Sequence, residues 1–352
     1  MAKKSNSLTL RFVVINNVES TKMFFAKSFS AKVLLLASGL IFFASTDQVE
    51  ASQQPFSNWL ENLRVEASNE GIREETLATA LKGVNLIPRV VELDRKQPEF
   101  SLTFSQYIGR VVPDSRVKKA REKFVENRAL LDEIADKFGV QPRFIVALWG
   151  IETDFGRVTG GFKLIPALVT MAYDGRRSKY FRKELINALK IIDGGHIRAN
   201  DMVGSWAGAM GQCQFMPSSF LNFAIDFDGD GRKDIWSTKA DVFGSAANYL
   251  SKSGWKSGQT WGRKVILPDD FDSSLANLKV KKTIKEWQSI GVRRGNGSDL
   301  PVRDLKASIV YTEGVGSSAY MIYDNFRTIL KWNRSTYFAV AVGTLADRIV
   351  GD

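Results

Sequence analysis

Eight consecutive residues, Phe144-Ile-Val-Ala-Leu-Trp-Gly-Ile151, constrain this chain more than any other stretch because they offer no polar face. A helix apolar on every side has to run through a core, so other elements must surround it. Gly139 marks a stop before the run and Pro142 a restart, which places the segment on a helix of its own. Upstream, apolar spacing is helical from Phe56 to Leu81, with Phe56, Trp59, Leu60, Leu63 and Ala67 on one face and a restart at Gly71-Ile-Arg-Glu-Glu-Thr-Leu77. Residues 116–138 read as one further helix, with Val117, Phe124, Leu130, Leu131, Ile134 and Phe138 separated by charges. From Ser257 to Tyr311 the texture changes to short β-leaning runs, Lys264-Val-Ile-Leu267 and Ala307-Ser-Ile-Val-Tyr311, set among Gly, Asp and Ser. Helical spacing returns from Tyr323 to Leu330 and from Tyr337 to Ile349. The pattern predicts an α+β fold, predominantly α, with a small β-containing insertion.

A second stretch asks for an ion. In Asp226-Phe-Asp228-Gly-Asp230-Gly-Arg-Lys-Asp234, acidic side chains alternate beside a glycine at the sixth position, the rhythm of an EF-hand-like calcium loop. Position twelve is Ser237, where a bidentate Glu ordinarily closes the sphere. The expected ligands of a structural Ca²⁺ are therefore Asp226, Asp228 and Asp230 by side chain, Arg232 by its carbonyl, and Asp241 reaching back from an elongated loop. Asp234 is expected to support these ligands rather than bind. The alternative is a solvated acidic turn.

The amino terminus carries Lys22, Lys27 and Lys32, an apolar stretch from Val33 to Ala44, and Val49-Glu-Ala51 before a polar segment. This predicts a signal peptide over 1–51, cleaved near Ala51, with Met23 as an alternative start, and hence an exported, periplasmic protein. A dozen apolar residues fall short of the ~20 that span a bilayer, so no stable membrane span is expected. Cys213 is the only cysteine, which excludes an internal disulfide. Residues 1–51 hold six Lys/Arg and three Asp/Glu, leaving 43 basic against 35 acidic groups, net +8, in the exported chain. An anionic polymer is the natural partner of such a surface. Dispersed basic residues and the lack of a known module argue against nucleic acid.

Glu152 closes the apolar run. A carboxyl in apolar surroundings near a helix carboxyl end has its charged form disfavoured by desolvation and by the helix dipole, which suits a general acid for glycosidic cleavage. Equally, Glu152 could be emerging from the core to cap Thr153 or pair with a Lys. Asp154 lies two positions on and reads as solvated or capping, which leaves no convincing second carboxylate. The stretch Gly204–Ser219 combines three glycines, small residues and amides, so that backbone can approach a ligand and Ser205 and Gln214 can bond sugar hydroxyl or acetamido groups. Cys213 reads as packing, and His196, the single histidine, has nothing triad-like around it. Tyr107, Trp206, Tyr249, Trp332 and Tyr337 are candidate sugar-stacking aromatics, most of them expected in the core. Arg176 and Arg177 could clamp a carboxylate or form a solvated face.

The stretches ALWGIETDFG (147–156), IPALVTMAYDGRR (165–177), GSWAGAMGQCQFMPSS (204–219), the acidic loop, AANYLSKSGW (246–255) and YDNFRTILKWNRSTYFAVAVG (323–343) occur in one order and resemble the lytic murein transglycosylase B family. The resemblance covers most of residues 95–350. It implies a lysozyme-like core flanked by a helical domain and a small β domain. The implied division is 52–138 helical, completed by 340–352; 139–256 core with the calcium loop, completed by 318–339; and 257–317 β-containing. It also implies Glu152 as the catalytic residue, glycan contacts from Tyr107, Ser205, Gln214, Tyr249, Trp332 and Asn333, and the calcium ligands given above. The implied reaction cleaves peptidoglycan between N-acetylmuramic acid and N-acetylglucosamine without water. Glu152 acts first as acid and then as base, the substrate's acetamido group steadies the cationic carbon, and a 1,6-anhydro ring closes through the C6 hydroxyl. An intramolecular nucleophile removes the need for a second protein carboxylate. The chain is expected to act as a monomer on peptidoglycan glycan strands. Rival readings are a hydrolytic muramidase and a non-catalytic, calcium-stabilised glycan-binding scaffold.

Overall fold

The structure is a computed structural model that describes residues 54–96, 102–174 and 176–351. The expected signal peptide lies outside these residues. The apolar octet lies within helix α7 (Pro142–Thr153), which follows α1 (Phe56–Asn69), α2 (Glu74–Ala80), α3 (Pro88–Lys96), α4 (Phe104–Val111), α5 (Asp114–Glu126) and α6 (Arg128–Phe138). Pro142 takes the first helical position after an extended Gln141, and every residue from Phe144 to Thr153 is buried. After α7 come a short strand β1 (Phe162–Lys163), α8 (Leu164–Tyr173), α9 (Ser178–Asp193), β2 (Val203–Gly204), α10 (Pro217–Phe223) and α11 (Lys239–Lys252). The chain then builds β3 (Gly262–Ile266), β4 (Lys282–Thr283), α12 (Ile284–Ser289), β5 (Arg293–Arg294), β6 (Lys306–Tyr311) and β7 (Ala319–Ile322). It closes with α13 (Asp324–Trp332) and α14 (Thr336–Val350).

Helices α5, α6, α11 and α14 pack around α7, which answers the demand of a helix with no polar side. The helix expected over 116–138 is instead two. The chain leaves the helical region at Asn127 (φ −111°, ψ 20°), whose amide side chain donates to the Lys123 carbonyl at 2.7 Å. A side chain that satisfies the last turn's carbonyl lets one helix end and the next begin without a loop. Periodicity continues across the break, which is why spacing alone missed it.

The insertion is a five-stranded antiparallel sheet in the order β4-β6-β7-β3-β5. Its central strand β7 takes residues 319–322, which the sequence had assigned to the core, so the β unit runs past its expected end at 317. Helix α12, capped by a reciprocal Thr283–Glu286 pair, went unforeseen because its six residues are too few for a visible period. The unit has its own hydrophobic cluster around Trp287, Ile309 and Met321. By contrast a single larger cluster runs from Leu63 to Ile349, so the helical first third and the central helices share one core instead of meeting at 138/139. Trp261 fastens the sheet to that core. Its indole lies flat against Gly343 of α14, where a Cβ would come within 2.1 Å of the ring, and its Nε1 donates to Asp347 at 2.8 Å. Among the described residues, no helix is long and apolar enough to cross a membrane.

Candidate functional site

Helix α7 ends one residue after Glu152, and the chain turns sharply there. Asp154 (φ 50°) and Phe155 (φ 62°) both adopt left-handed backbone, a conformation that costs non-glycine residues about 1 kcal/mol or more. Phe155 folds back over Gly150, where a Cβ would sit 2.7 Å from its ring. The Asp154 carboxylate pairs with Arg157 and with Lys119 at 3.4 Å. It is therefore committed to cations at the helix end, in keeping with a capping role.

Glu152 itself is 7% exposed. Burial pushes its carboxyl up to about 8, against a partial opposing effect from the Trp332 indole, whose Nε1 donates to Oε1 at 2.8 Å. The other oxygen, Oε2, is buried with no hydrogen-bond partner among the described residues. Leu148, Trp149, Gln212, Cys213, Ala246 and Trp332 line a small hollow with Glu152. Such a carboxyl carries its proton at neutral pH and can release it only to something that enters.

The sequence did not show two of the bonds that build this site, those of Gln212 and that of Trp332 to Glu152. Gln212 accepts from Trp149 Nε1 at 2.7 Å, donates to the Trp236 carbonyl at 2.8 Å, and its own carbonyl accepts from Thr153 Oγ1 at 3.1 Å. It thereby ties the turns on either side of Glu152 to the segment that follows the acidic loop. Trp332 was expected on the glycan. It is 5% exposed, a wall of the hollow and a donor to Glu152. The available clue was an amide among buried small residues for Gln212. Nothing local marks Trp332, which lies 180 positions from Glu152.

The remaining expected residues are distributed as follows. Tyr107 is buried beside Tyr337, ring centroids 5.4 Å apart, and burial followed by the charge of Glu152 pushes its phenol well above the usual range. Ser205 is buried and its hydroxyl accepts from Ala209 N at 3.0 Å. Gln214, at φ 51°, donates to the carbonyls of Gly211 (2.9 Å) and Thr159 (3.1 Å). Half-buried Tyr249 donates to the Lys331 carbonyl at 2.7 Å and packs on Phe223 and Trp332. Gln214, Phe215, Met216, Ser219, Tyr249 and Lys331 line a second hollow that shares Trp332 with the first. Asn333 ends α13, and its Oδ1 accepts at 3.0 Å from the amide of Ser335, the residue that caps α14. Arg176 and Arg177 do clamp a carboxylate, but it is that of fully buried Asp94, with Arg176 Nε at 2.7 Å from Oδ2. A buried carboxylate needs cationic partners, so these arginines are occupied by the fold. Cys213 donates to the Val242 carbonyl at 3.2 Å, and burial raises its thiol, consistent with packing. Trp206 is buried, and His196 accepts from Lys233 N at 3.2 Å through Nδ1.

In the acidic loop, Asp226, Asp228 and Asp230 each offer an oxygen within 4.8 Å of the others. Asp226 accepts from the amides of Gly229, Asp230 and Gly231 at 2.7, 3.1 and 2.8 Å, which folds the loop around its first carboxylate. Asp241 stands outside that group of three. Fully buried at the start of α11, it accepts from Phe227 N and Asp234 N, both at 2.6 Å, and so staples the two arms of the loop. Burial raises its carboxyl and the charges of Asp228 and Asp226 add to the effect. Asp234 accepts from Trp236 N (2.8 Å) and Ser237 N (2.9 Å) at the turn leading to α11.

This arrangement has known relatives. The chain is 41% identical to SltB3 from Pseudomonas aeruginosa, crystallised in complexes with NAG-anhNAM-pentapeptide and NAG-NAM-pentapeptide. The TM-score is 0.82, with 85% of this chain and 80% of that one covered. It is 26% identical to the Escherichia coli lytic transglycosylase Slt35 in complex with calcium, at TM-score 0.71 over 86% of this chain and 94% of that one. Over 216 residues it is 33% identical to membrane-bound lytic murein transglycosylase B of Escherichia coli K12, covering 60% of this chain. That match spans 58% of the relative's length. Residues 55–347 match the Transglycosylase SLT domain, and the chain belongs to that family.

Proposed function

We propose that this protein is a peptidoglycan lytic transglycosylase that cleaves the β-1,4 bond between N-acetylmuramic acid and N-acetylglucosamine and leaves a 1,6-anhydromuramic acid end. The observation that carries this reading is a buried Glu152 with one carboxyl oxygen unpartnered among the described residues, while its nearest carboxylate in sequence, Asp154, is held by Lys119 and Arg157. A site with one free carboxyl suits a reaction in which the substrate supplies its own nucleophile. Glu152 gives its proton to the bridging oxygen as the C1–O bond breaks, and the acetamido group of the muramic acid steadies the cationic carbon. The resulting carboxylate then takes the proton of the C6 hydroxyl as that oxygen bonds C1, so the enzyme returns to its starting state. Tyr107, Ser205, Gln214, Tyr249 and Asn333 are proposed to border the glycan. The complexes of SltB3 with muropeptide-like ligands support this substrate class.

The acidic loop is proposed to hold a structural Ca²⁺. Three converging carboxylates form a donor set for a hard cation, and Slt35 has been crystallised with calcium. Asp226, Asp228, Asp230 and the Arg232 carbonyl are the proposed ligands. Asp241 is the proposed closing ligand, since an oxygen that accepts one N–H keeps a second lone pair. The ion would neutralise mutual repulsion in the loop and is assigned no chemical step. Chelation is therefore expected to lower the melting temperature, with half the effect reached at free calcium near ~10⁻⁴–10⁻³ M. A melting temperature indifferent to calcium across that range would remove the ion from the account.

The protein is further proposed to be exported to the periplasm after cleavage near Ala51 and to act as a monomer on glycan strands. Mass spectrometry of digested sacculi tests the main reading. Anhydro ends are expected, reducing ends would favour the hydrolytic muramidase, and intact sacculi the glycan-binding scaffold. Because the acid must be protonated in the free enzyme, kcat/KM is expected to fall with rising pH around 8, where burial has placed Glu152. A limb near the ordinary ~4.3 of a solvated Glu would mean that the proton comes from elsewhere.

A further inference from the structure

We propose that Trp332 is a positioning residue for the reaction, its indole N–H holding Glu152 Oε1 so that the transferable proton rides on Oε2. The proposal rests on Glu152 being the proton donor. Trp332 Nε1 donates to Oε1 at 2.8 Å, and an indole N–H can only donate, so the lone pair it meets is closed to a proton. Oε2 is buried and has no partner among the described residues. Of the two oxygens it is the one on which a proton meets no competing donor. Trp332 is itself fixed. It is 5% exposed, packed against Tyr249 at 4.8 Å and Phe215 at 5.2 Å between ring centroids, and it stands at the last turn of α13. A donor on a fixed ring turns a carboxyl that can rotate into one with a defined face, which is what proton transfer to a positioned oxygen requires.

The bond also acts on the acid strength. It favours the charged form and so moderates the effect of burial. The other titratable groups facing Glu152 are Tyr107 on α4 and Cys213 in the Gly-rich stretch, both kept neutral by burial. The charges on elements packed against α7 are either exposed, as Lys118, Glu122, Glu133, Asp136 and Lys252 are, or engaged elsewhere. On α5, Lys119 meets Asp154, and Arg116 donates to the Val111 carbonyl. On α14, Asp347 pairs with Arg143 near the start of α7, and Arg348 with Asp114. On α6, Arg128 pairs with Asp132, and the cation of Lys137 lies over the rings of Phe138 and Phe227. On α11, Lys239 pairs with Glu126 and Asp241 is bonded to the acidic loop. Lys331 on α13 donates to the Ser253 carbonyl. Among the described residues, Trp332 is the group whose hydrogen bond both reaches Glu152 and shifts its proton affinity.

The test uses the full chain in saturating calcium, in two forms. One is Trp332→Phe. The other carries 3-benzothienylalanine at position 332, which keeps the two-ring shape and replaces N–H by sulfur, so the measurement survives if the smaller ring fails to fold. Glu152 is titrated by ¹³C NMR of labelled carboxyls, assigned with Glu152→Gln, and kcat and KM are followed against pH. The expected result is a Glu152 pKa raised by about one unit, an upper limb of kcat/KM raised with it, and kcat lowered roughly tenfold at little change in KM. A role in packing alone would lower the melting temperature without moving the limb. If neither the carboxyl nor the limb moves in the benzothienyl form, Trp332 does not position Glu152. If the carboxyl shifts and the limb stays, Glu152 is not the acid, and the proposed function fails together with this role.

Discussion

Glu152→Gln is expected to lower turnover on sacculi by roughly 10²–10⁴-fold, the usual contribution of a general acid, while leaving glycan affinity intact. The amide has the same shape, and its oxygen can still accept from the Trp332 indole, so the walls of the hollow stay in place. What it lacks is a proton to give to the bridging oxygen and a lone pair basic enough to take one back. Both halves of the reaction fail together. Affinity should survive because the groups proposed to border the glycan, from Ser205 to Tyr249, do not contact this carboxyl through any bond described above. A variant that keeps more than about a tenth of wild-type turnover would remove Glu152 from the acid role.

The same substitution is expected to stabilise the fold, and more so as pH rises. Glu152 titrates near 8 in the folded chain against an ordinary value of 4.5. The folded state therefore holds the proton more tightly. The stability this gives is fully present below the unfolded value, declines as the unfolded carboxyl ionises, and is gone once pH passes the folded value. Each pH unit between the two values costs wild type on the order of 1.4 kcal/mol, a few kcal/mol in all, and Gln, which does not titrate, is spared that cost. The check is the difference in unfolding free energy between Glu152→Gln and wild type, measured at pH 5 and again at pH 8.5. A difference that stays constant would mean that Glu152 is not held neutral by the fold. Activity and stability would then make opposite demands on one side chain, as they commonly do at active sites.

Much of this was legible in the sequence because it depends on local pattern. Phe144–Ile151 could only be a buried helix, and the carboxyl that closes it was legible as an acid in apolar surroundings, with a capping or Lys-paired Glu152 as the equal alternative. The alternating aspartates of the acidic loop draw three oxygens together through bonds that span five residues or fewer. What stayed hidden depends on residues distant in the chain. Arg176 and Arg177 look like a ligand clamp until Asp94 is placed beneath them, and nothing near Trp332 in sequence shows its bond to Glu152. The break at Asn127 was missed for the opposite reason. There the apolar period runs on unbroken while a single side chain ends one helix and lets another start.

The way α14 lies against α7 sets an order of events for folding. Thr336–Val350 follows Pro142–Thr153 only after the whole acidic loop and β unit have intervened, yet it forms part of the cover that α7 needs. Until that late helix docks, a chain has an oily rod with part of its flank open to water. Contacts so far apart in sequence are slow to close, and exposed apolar surface in the meantime favours association with other chains. Deleting α14 is thus more damaging than its late place in the chain suggests. Such a truncated chain would be recovered as aggregate, with its acidic loop, Glu152 and β unit all still encoded.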